Sequence, residues 1–387
     1  MATPFTGEGE RRKGSVELRA LAARRLRPVA DRGAPGRVNR PLLATLGELG
    51  LLSRVVPLAG PVRALDLCLL RESLAYACTE AETALALQGL GAHPVVAHGN
   101  RAQRARWLPE IAAGRAVAAF ALSEPGAGSD AAALELRAEP AGVTSGAASG
   151  PASGAAGWRL HGEKRWISNA PQADVYTVFA RTGPGSGAAG VTAFLVPADR
   201  PGLGGEPLEM LGPHPLGTLT FDGVPVGPGD VVGEVGRGFR LAMATLDLFR
   251  PSVGAFAVGM ARAALDASVA HAGERRAFGG PLKDLQAVSH LLAEMATRTE
   301  AAGLLVQSAA SAYDAGEPGV AARSAMAKLF ATETAQYVVD SAVQIHGARA
   351  LARGHLLEHL YREVRAPRIY EGASEVQRTI IAKELYR

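Results

Sequence analysis

The chain has 387 residues, 48% hydrophobic and 20% charged, which is enough to bury a large core in two or three domains. The formal net charge is only +4, and the sequence contains no block of five or six like charges. The charge pattern therefore does not favour nucleic-acid binding. No uninterrupted apolar run approaches the roughly 20 residues that span a bilayer, and no apolar segment follows the charged N-terminus, so we expect a soluble, cytoplasmic protein.

The first part of the chain reads as helical. Leucines recur at three- and four-residue spacing between about residues 16 and 115, with Gly and Pro between the runs. Cys68 and Cys78 lie there among Ala and Leu, with no neighbouring ligand pattern, so we expect two core thiols rather than a disulfide or a zinc site. The pattern predicts an α-helical domain over residues 1–117.

The residue pattern changes after residue 117. Short β-branched and aromatic runs at 175–180, 191–196 and 218–221 are separated by Gly, Pro and Asp, which predicts an antiparallel β domain over 118–235. Within it, 141–157 contains only small residues, Thr, Val and Pro, and should be a mobile loop.

Long helical patterns return over 236–387, at 239–273, 284–314 and 320–346, with shorter ones to the end. They predict a C-terminal four-helix bundle, and the whole chain is expected to be α+β, with helical domains before and after the β domain.

The segment 118–130 reads AAFALSEPGAGSD, a strand-like run followed by a Gly-X-Gly-Ser loop. Its glycines let the backbone approach a ligand closely, and Ser129 with exposed N–H groups could hold phosphate oxygens. A Rossmann unit would need a helix next, whereas a polar loop follows, so a plain turn and a ligand loop both stay open.

The segment 164–170 reads KRWISNA. Strand alternation would put Trp166 and Ser168 on one face, where an indole and a hydroxyl could address a flat ligand. Taken alone, a Trp packed in the β core is the better interpretation.

Two further segments are RRAFGGPLKDLQ at 275–286 and QIHG at 344–347. The first predicts a helix end, a Gly-Gly-Pro turn and a new helix. Arg275 and Phe278 beside that turn could grip a phosphate and an adenine, although basic residues at a helix C-terminus are common.

The segment 368–378 reads RIYEGASEVQR, and a new helix is predicted to start at Ser374, which leaves Glu371 and Gly372 in a connection. An isolated glutamate is usually a solvated surface group, so Glu371 becomes a catalytic candidate only in the company of the other segments.

These five segments together resemble the acyl-CoA dehydrogenase family, in its order and with similar spacing, over nearly the whole chain. The resemblance implies FAD as cofactor, an acyl-CoA substrate, an electron-transferring flavoprotein as acceptor, and a homo-oligomer, either a dimer or a homotetramer. It implies a role in fatty acid or acyl-CoA metabolism.

By resemblance, Glu371 is the base that removes the α-proton while hydride passes from the β-carbon to the flavin. The residues that would contact FAD are Leu122, Ser123, Ser129, Trp166, Ser168, Arg275, Phe278, Gln286, Gln344, Gly347, Ala373 and Glu375. Those from Arg275 to Gly347 would reach the adenosine diphosphate end of a neighbouring subunit's FAD. Residues that would meet the substrate are Ser129, Asp247, Arg250 and Gly372.

Some positions depart from the family. Ala348 and Ala350 stand where glycines are usual, and Ala373 stands where a Thr hydroxyl often touches FAD, so the adenosine site could be looser. The segment 81–93, which in the family lines the acyl tunnel, has no Arg or Lys, so we expect an uncharged acyl group.

Other functions stay open. The same residues would serve a flavin-dependent oxidase, or a dehydrogenase of an acyl group bound to a carrier protein. From a different class, His355, Glu358 and His359 form H-x-x-E-H, the spacing of a zinc hydrolase motif, although no third ligand is evident and we expect no metal.

Overall fold

The computed structural model describes residues 8–141, 157–183 and 187–386. The small-residue loop predicted at 141–157 lies, apart from its two ends, outside the described residues.

The described chain is α+β, with helices before and after a β middle. The helices are α1 (Glu8–Leu21), α2 (Arg27–Ala30), α3 (Arg40–Glu48), α4 (Leu52–Val55), α5 (Ala64–Ala77), α6 (Thr79–His98), α7 (Arg101–Ala112), α8 (Gly238–Glu274), α9 (Gln286–Asp314), α10 (Val320–His346), α11 (Leu356–Glu363) and α12 (Ser374–Leu385). The strands are β1 (Ala118–Ala121), β2 (Arg137–Pro140), β3 (Trp158–Ser168), β4 (Val175–Arg181), β5 (Val191–Pro197), β6 (Leu203–Gly204), β7 (Pro207–Leu208), β8 (Leu216–Val226), β9 (Val231–Val232), β10 (Arg276–Ala277) and β11 (Gly280–Pro281).

The middle sheet runs in the order β6-β8-β3-β2-β4-β5-β9, with β1 beside β4 and β7 beside β8. Most pairs are antiparallel, as predicted, but β1 and β2 run parallel to β4. Strands β4 and β5 are buried over almost their whole length, which explains their continuous apolar sequences. The sheet therefore has a core of its own, and β1 ends directly before the LSEPG segment.

The contacts divide the chain into two compact units. Unit 1 consists of Met1–Pro28, Arg63–Glu82 and Leu246–Arg387, and unit 2 of Val29–Val62 and Thr83–Thr245. Unit 1 is a helical assembly in which α10 packs against α9, α11 and α12, and α5 packs against α1 and α9. Unit 2 contains the sheet with the helices α3, α4 and α7.

Close packing positions β1 within unit 2. A Cβ on Gly91 of α6 would lie 2.7 Å from the Ala119 backbone nitrogen, so only glycine lets this helix lie directly against the strand. Thr177 on β4 donates a hydrogen bond to the carbonyl of Gly91 (3.1 Å) and fixes the same contact.

Two predictions from the composition, on the cysteines and on apolar segments, can be compared with the structure. Cys68 and Cys78 are both free and buried, as predicted, and burial raises the pKa of Cys78 to about 12. Among the helices of the described residues, α8 is long and apolar enough to cross a membrane by length and composition, but 67% of its apolar window is buried within the protein. The core helix of a globular unit passes the same test.

Candidate functional site

In unit 2, the segments LSEPG and KRWIS are joined by a buried ion pair. Lys164 Nζ lies 2.6 Å from Glu124 Oε1 and donates to the Leu122 carbonyl at 2.9 Å. The Arg165 N–H donates to the Ser123 carbonyl at 3.0 Å. The backbone of Leu122 and Ser123 is therefore fixed against β3, which brings together two of the predicted site segments.

Glu124 also holds the chain that follows. Its carboxylate accepts hydrogen bonds from the N–H groups of Glu135 (2.6 Å) and Leu136 (3.0 Å). Burial lowers the pKa of Lys164 to about 8, and the Glu124 charge opposes that shift. Ser129 is exposed beyond a tight turn at Glu124–Ala127, and a short 3₁₀ turn and β2 follow rather than the helix of a Rossmann unit.

Trp166 is not a core residue of this sheet. It is 44% exposed, it has the left-handed φ of 58°, and the register of β3 against β8 shifts between Lys164 and Ile167. The interpretation of a Trp packed in the β core is therefore wrong. Because the bulge interrupts strict alternation, the shared face of Trp166 and Ser168 does not follow from period two alone, although both are accessible beside buried Ile167.

In unit 1, Glu371 lies in the connection before α12 with φ of 52°, a left-handed conformation that is unusual for a residue with a side chain. Its carbonyl accepts from Gln377 Nε2 (3.2 Å) and Arg250 Nε (3.4 Å). The next carbonyl, of Gly372, accepts from Lys328 Nζ (2.7 Å) and Gln377 Nε2 (2.8 Å). These four bonds hold the two backbone carbonyls that follow the Glu371 side chain.

Gly372 itself has φ of 93°, and a Cβ there would lie 2.4 Å from Gln377 Nε2. Only glycine therefore satisfies both the backbone and the amide that holds it. Asp247 accepts from Arg250 Nη1 at 2.8 Å, and burial raises the pKa of Asp247.

The Glu371 carboxylate has an unusual environment. Its Oε2 atom is buried and accepts no hydrogen bond within the residues that the structure describes. Burial raises the pKa of Glu371, and the charges of Arg71, Lys328 and Arg250, in that order, oppose the shift. An unpaired, desolvated carboxylate is a stronger base than a surface glutamate.

Arg71 and Lys328 were not expected from the sequence. Arg71 lies in the leucine-rich α5 and Lys328 in α10, and both are buried. Burial lowers the pKa of Lys328 to about 8. No local pattern distinguishes either from a solvated helix charge, so only the three-dimensional structure identifies them.

The remaining predicted positions of unit 1 lie at or near helix ends. Arg275 follows α8 and is succeeded by a two-residue hairpin, β10–β11, where only a turn was predicted. Phe278 at its tip is 91% exposed with φ of 51°. Gln286 begins α9, and Gln344 lies in the last turn of α10. Gly347 follows that helix and has a φ of 63°. Gln286, Gln344 and Gly347 are exposed.

A concave site of about 360 Å³ adjoins this hairpin and is lined by His271, Glu274, Arg275, Arg276 and Arg349. Its three guanidinium groups and the exposed Phe278 ring suit a ligand that combines phosphates with an aromatic base. The donor set therefore fits the adenosine diphosphate part of a dinucleotide.

At the start of α12, Ala373 is the N-cap residue and offers no side-chain cap. Ser374 instead donates to Glu333 on α10 (2.7 Å), which also binds Arg368 (2.8 Å). Glu375 is exposed and pairs with Arg378.

The H-x-x-E-H residues have other contacts. His355 precedes α11 and accepts from the Leu357 N–H (3.1 Å), Glu358 pairs with Arg362 (2.8 Å), and His359 Nε2 lies 2.6 Å from Thr79 Oγ1. No group of three metal-ligating side chains occurs within the described residues.

Three family models match consecutive parts of the chain: the N-terminal domain of acyl-CoA dehydrogenase (residues 10–115), its middle domain (119–224) and its C-terminal domain (236–386). The chain is 35% identical to a probable acyl-CoA dehydrogenase, FadE25, of Mycobacterium tuberculosis over 378 residues, 96% of this chain and 94% of the relative.

Two solved structures are similar over the full length. Butyryl-CoA dehydrogenase from Megasphaera elsdenii is 30% identical with a TM-score of 0.88, and the match covers 100% of both chains. PigA with FAD and proline is 25% identical with a TM-score of 0.89, and the match covers 99% of each chain.

Proposed function

Because the chain belongs to the acyl-CoA dehydrogenase family, an oxidoreductase family, we propose that it removes two hydrogens from the α- and β-carbons of an acyl-CoA thioester, with Glu371 as the base. The observation that carries this proposal is the Glu371 carboxylate: its Oε2 atom is buried and unpartnered within the described residues, and four hydrogen bonds hold the backbone carbonyls of Glu371 and Gly372.

The α-proton of a thioester is a weak acid, so its removal needs both a strong base and stabilisation of the enolate. Burial raises the pKa of Glu371 and makes it a stronger base, while the charges of Arg71, Lys328 and Arg250 oppose that rise. By resemblance, the backbone N–H of Glu371 would be one donor to the thioester oxygen.

FAD is the proposed cofactor, and when bound it supplies the acceptor for the hydride of the β-carbon. In unit 2, the fixed backbone of Leu122 and Ser123 and the accessible Trp166 and Ser168 would bind the flavin ring. In unit 1, Arg275 and Phe278 suit the adenosine diphosphate end of a neighbouring subunit's FAD, as would Gln286, Gln344 and Gly347, and Ala373 and Glu375 are further proposed FAD contacts. Support comes from the lining of the 360 Å³ site and from the FAD in PigA.

Ser129, Asp247, Arg250 and Gly372 are the proposed substrate contacts. We further propose domain boundaries near residues 117 and 235, a dimer or homotetramer, an electron-transferring flavoprotein as acceptor, and a cytoplasmic location. An oxidase, or an enzyme for carrier-bound acyl groups, would use the same residues, and reoxidation by oxygen distinguishes the first of these.

The test is Glu371→Gln, which keeps the shape of the side chain but cannot accept the α-proton. Protein loaded with FAD is mixed anaerobically with a panel of acyl-CoA thioesters, and flavin bleaching is followed. We expect the variant to bleach about 10² to 10⁴ times more slowly than wild type, the usual contribution of a general base.

Glu358→Gln is the matched control, because a zinc hydrolase would need Glu358 whereas a flavin dehydrogenase would not. If Glu371→Gln bleached as fast as wild type, the base would lie elsewhere, and Phe249, where some relatives carry a glutamate, marks the neighbouring position to search.

A further inference from the structure

The concave site beside the β10–β11 hairpin carries more positive charge than the family resemblance implies. Arg275, Arg276 and Arg349 line it with three guanidinium groups, and Glu274 adds one carboxylate. None of the three guanidinium groups forms a salt bridge or a side-chain hydrogen bond within the described residues. They are therefore available to an anionic ligand.

His271 also lines this site, one helical turn before Arg275 on α8. Among the described residues of the lining, it is the one whose side chain ordinarily changes charge near neutral pH. Burial lowers the pKa of His271, and the charges of His346, Arg349 and Arg275 lower it further, whereas Glu274 opposes them. The imidazole is therefore mostly neutral at pH 7 while no anion is bound.

His271 belongs to a group of three histidine rings. Its ring is stacked on that of His346 with centroids 4.2 Å apart and planes at 21°, and His355 meets His346 edge-on at 5.6 Å. Burial lowers the pKa of His346, whose Nδ1 lies 2.9 Å from the Ala342 carbonyl. His355 Nδ1 accepts from the Leu357 N–H (3.1 Å), so that nitrogen carries no hydrogen. The two inner rings are thus held neutral and fix the position of the His271 ring.

An anion in the site changes the balance of charge at His271. Two phosphate charges offset the repulsion from Arg275 and Arg349, and an opposite charge within about 4 to 6 Å favours a protonated imidazole. Resting on the proposed function, we propose that the diphosphate of a neighbouring subunit's FAD binds this site together with one proton. His271 takes that proton from solvent and becomes a fourth cationic donor.

The sign of the resulting pH dependence follows from linkage. The pKa of His271 is higher in the complex than in the FAD-free chain, so FAD affinity is lowest at a pH above both values. It rises as the pH falls between them. The diphosphate diester of FAD loses or gains no proton near neutral pH, so a change in affinity there reports on the protein.

The test is the dissociation constant of FAD as a function of pH. FAD-loaded protein is dialysed to equilibrium against known FAD concentrations at a constant concentration of the chain. We expect the Kd of the wild-type protein to be about 10-fold lower at about pH 5.5 than at about pH 8.5, the effect of a pKa raised by about one unit in the complex.

Three variants at the site identify the titrating group. His271→Gln should remove the pH dependence and leave the Kd at high pH close to that of wild type, because the wild-type imidazole is neutral there. His271→Lys, with a permanent charge, should bind FAD tightly at both ends of the range. Glu274→Gln should tighten binding at every pH and keep the pH dependence. His161→Gln, on β3 of unit 2, is the distant control and should behave as wild type.

Circular dichroism confirms folding of each variant. A wild-type Kd that does not change with pH would overturn the inference. Persistence of the pH dependence in His271→Gln or His271→Lys, or its loss in Glu274→Gln, would also overturn it. All of these outcomes leave FAD binding and the proposed function intact. Failure of the wild-type protein to bind FAD at any pH would instead contradict the proposed function itself.

Discussion

Replacing Glu124 should disconnect the two segments of unit 2 that are proposed to bind the flavin. The carboxylate, 5% exposed, binds Lys164 Nζ at 2.6 Å and two backbone N–H groups, of Glu135 and Leu136. Glu124→Ala leaves a buried ammonium with the Leu122 carbonyl as its remaining acceptor. Removing one partner of a buried pair typically costs about 3 to 5 kcal/mol of unfolding free energy.

Lys164→Met should cost less, about 1 to 3 kcal/mol, because two N–H donors still compensate Glu124. Urea unfolding of the two single variants and the double variant at pH 7, with excess FAD, gives the coupling free energy of the pair. We expect a coupling of about 1 to 3 kcal/mol. Glu110→Ala, in an exposed pair with Arg115, should show no measurable shift of the midpoint.

The same pair predicts a pH dependence. The Lys164 pKa is about 8 in the folded chain against an ordinary lysine value of 10.5, so the folded state releases its proton first as the pH rises. Unfolding free energy should therefore rise between pH 8 and 10.5, by up to about 3 kcal/mol, and Lys164→Met should remove that rise. Lys328 adds a similar contribution that the variant retains. Additive effects of Glu124→Ala and Lys164→Met on the unfolding free energy would show that the two side chains are not coupled. An unchanged dependence of unfolding free energy on pH in Lys164→Met would show that Lys164 does not cause the rise.

Three further predictions concern unit 1. The rate of flavin bleaching should increase with pH as Glu371 ionises. Because the charge of Lys328 lowers the pKa of Glu371, Lys328→Met should move the midpoint of the stopped-flow pH profile upward. An unmoved midpoint would contradict this prediction. Gly372→Ala should lower the free energy of unfolding, measured by urea titration, by about 1 to 3 kcal/mol and should slow bleaching, because the added Cβ would collide with Gln377. Wild-type stability and bleaching in this variant would show that the added Cβ causes no strain. Arg275→Ala should release FAD on gel filtration, and full retention of FAD would argue against that contact.

The fold could be predicted from the sequence where the apolar residues follow one helical or strand spacing without interruption. Residues 320–346 were predicted as one helix and form α10 with those bounds, because no Gly or Pro interrupts the pattern. The start of α12 at Ser374 was likewise confirmed. The β10–β11 hairpin was missed, since strands of two residues carry no alternation, and the bulge at Trp166 was missed because a local break in register leaves the composition unchanged.

The candidate site could be predicted where the backbone conformation requires a particular residue type. It could not be predicted where the role of a residue depends on its burial in the folded chain. Glu371 and Gly372 lie in a connection with positive φ angles, where the backbone favours a glycine next to Glu371, and such a requirement is visible as a motif. Arg71 is different, because a charge in a leucine-rich helix predicts a solvated face until α8 supplies Ser252 and α6 supplies Glu82.

The balance at Glu371 follows from that difference. Three cations would hold an isolated carboxylate fully ionised and weakly basic, yet the pKa of Glu371 is raised, so desolvation exceeds their combined effect. The cations are partly neutralised, Arg71 by Glu82 and Arg250 by Asp247, while Lys328 is bound to the Gly372 carbonyl. The raised pKa of Glu371 therefore depends on the burial of its carboxylate, which the three cations oppose.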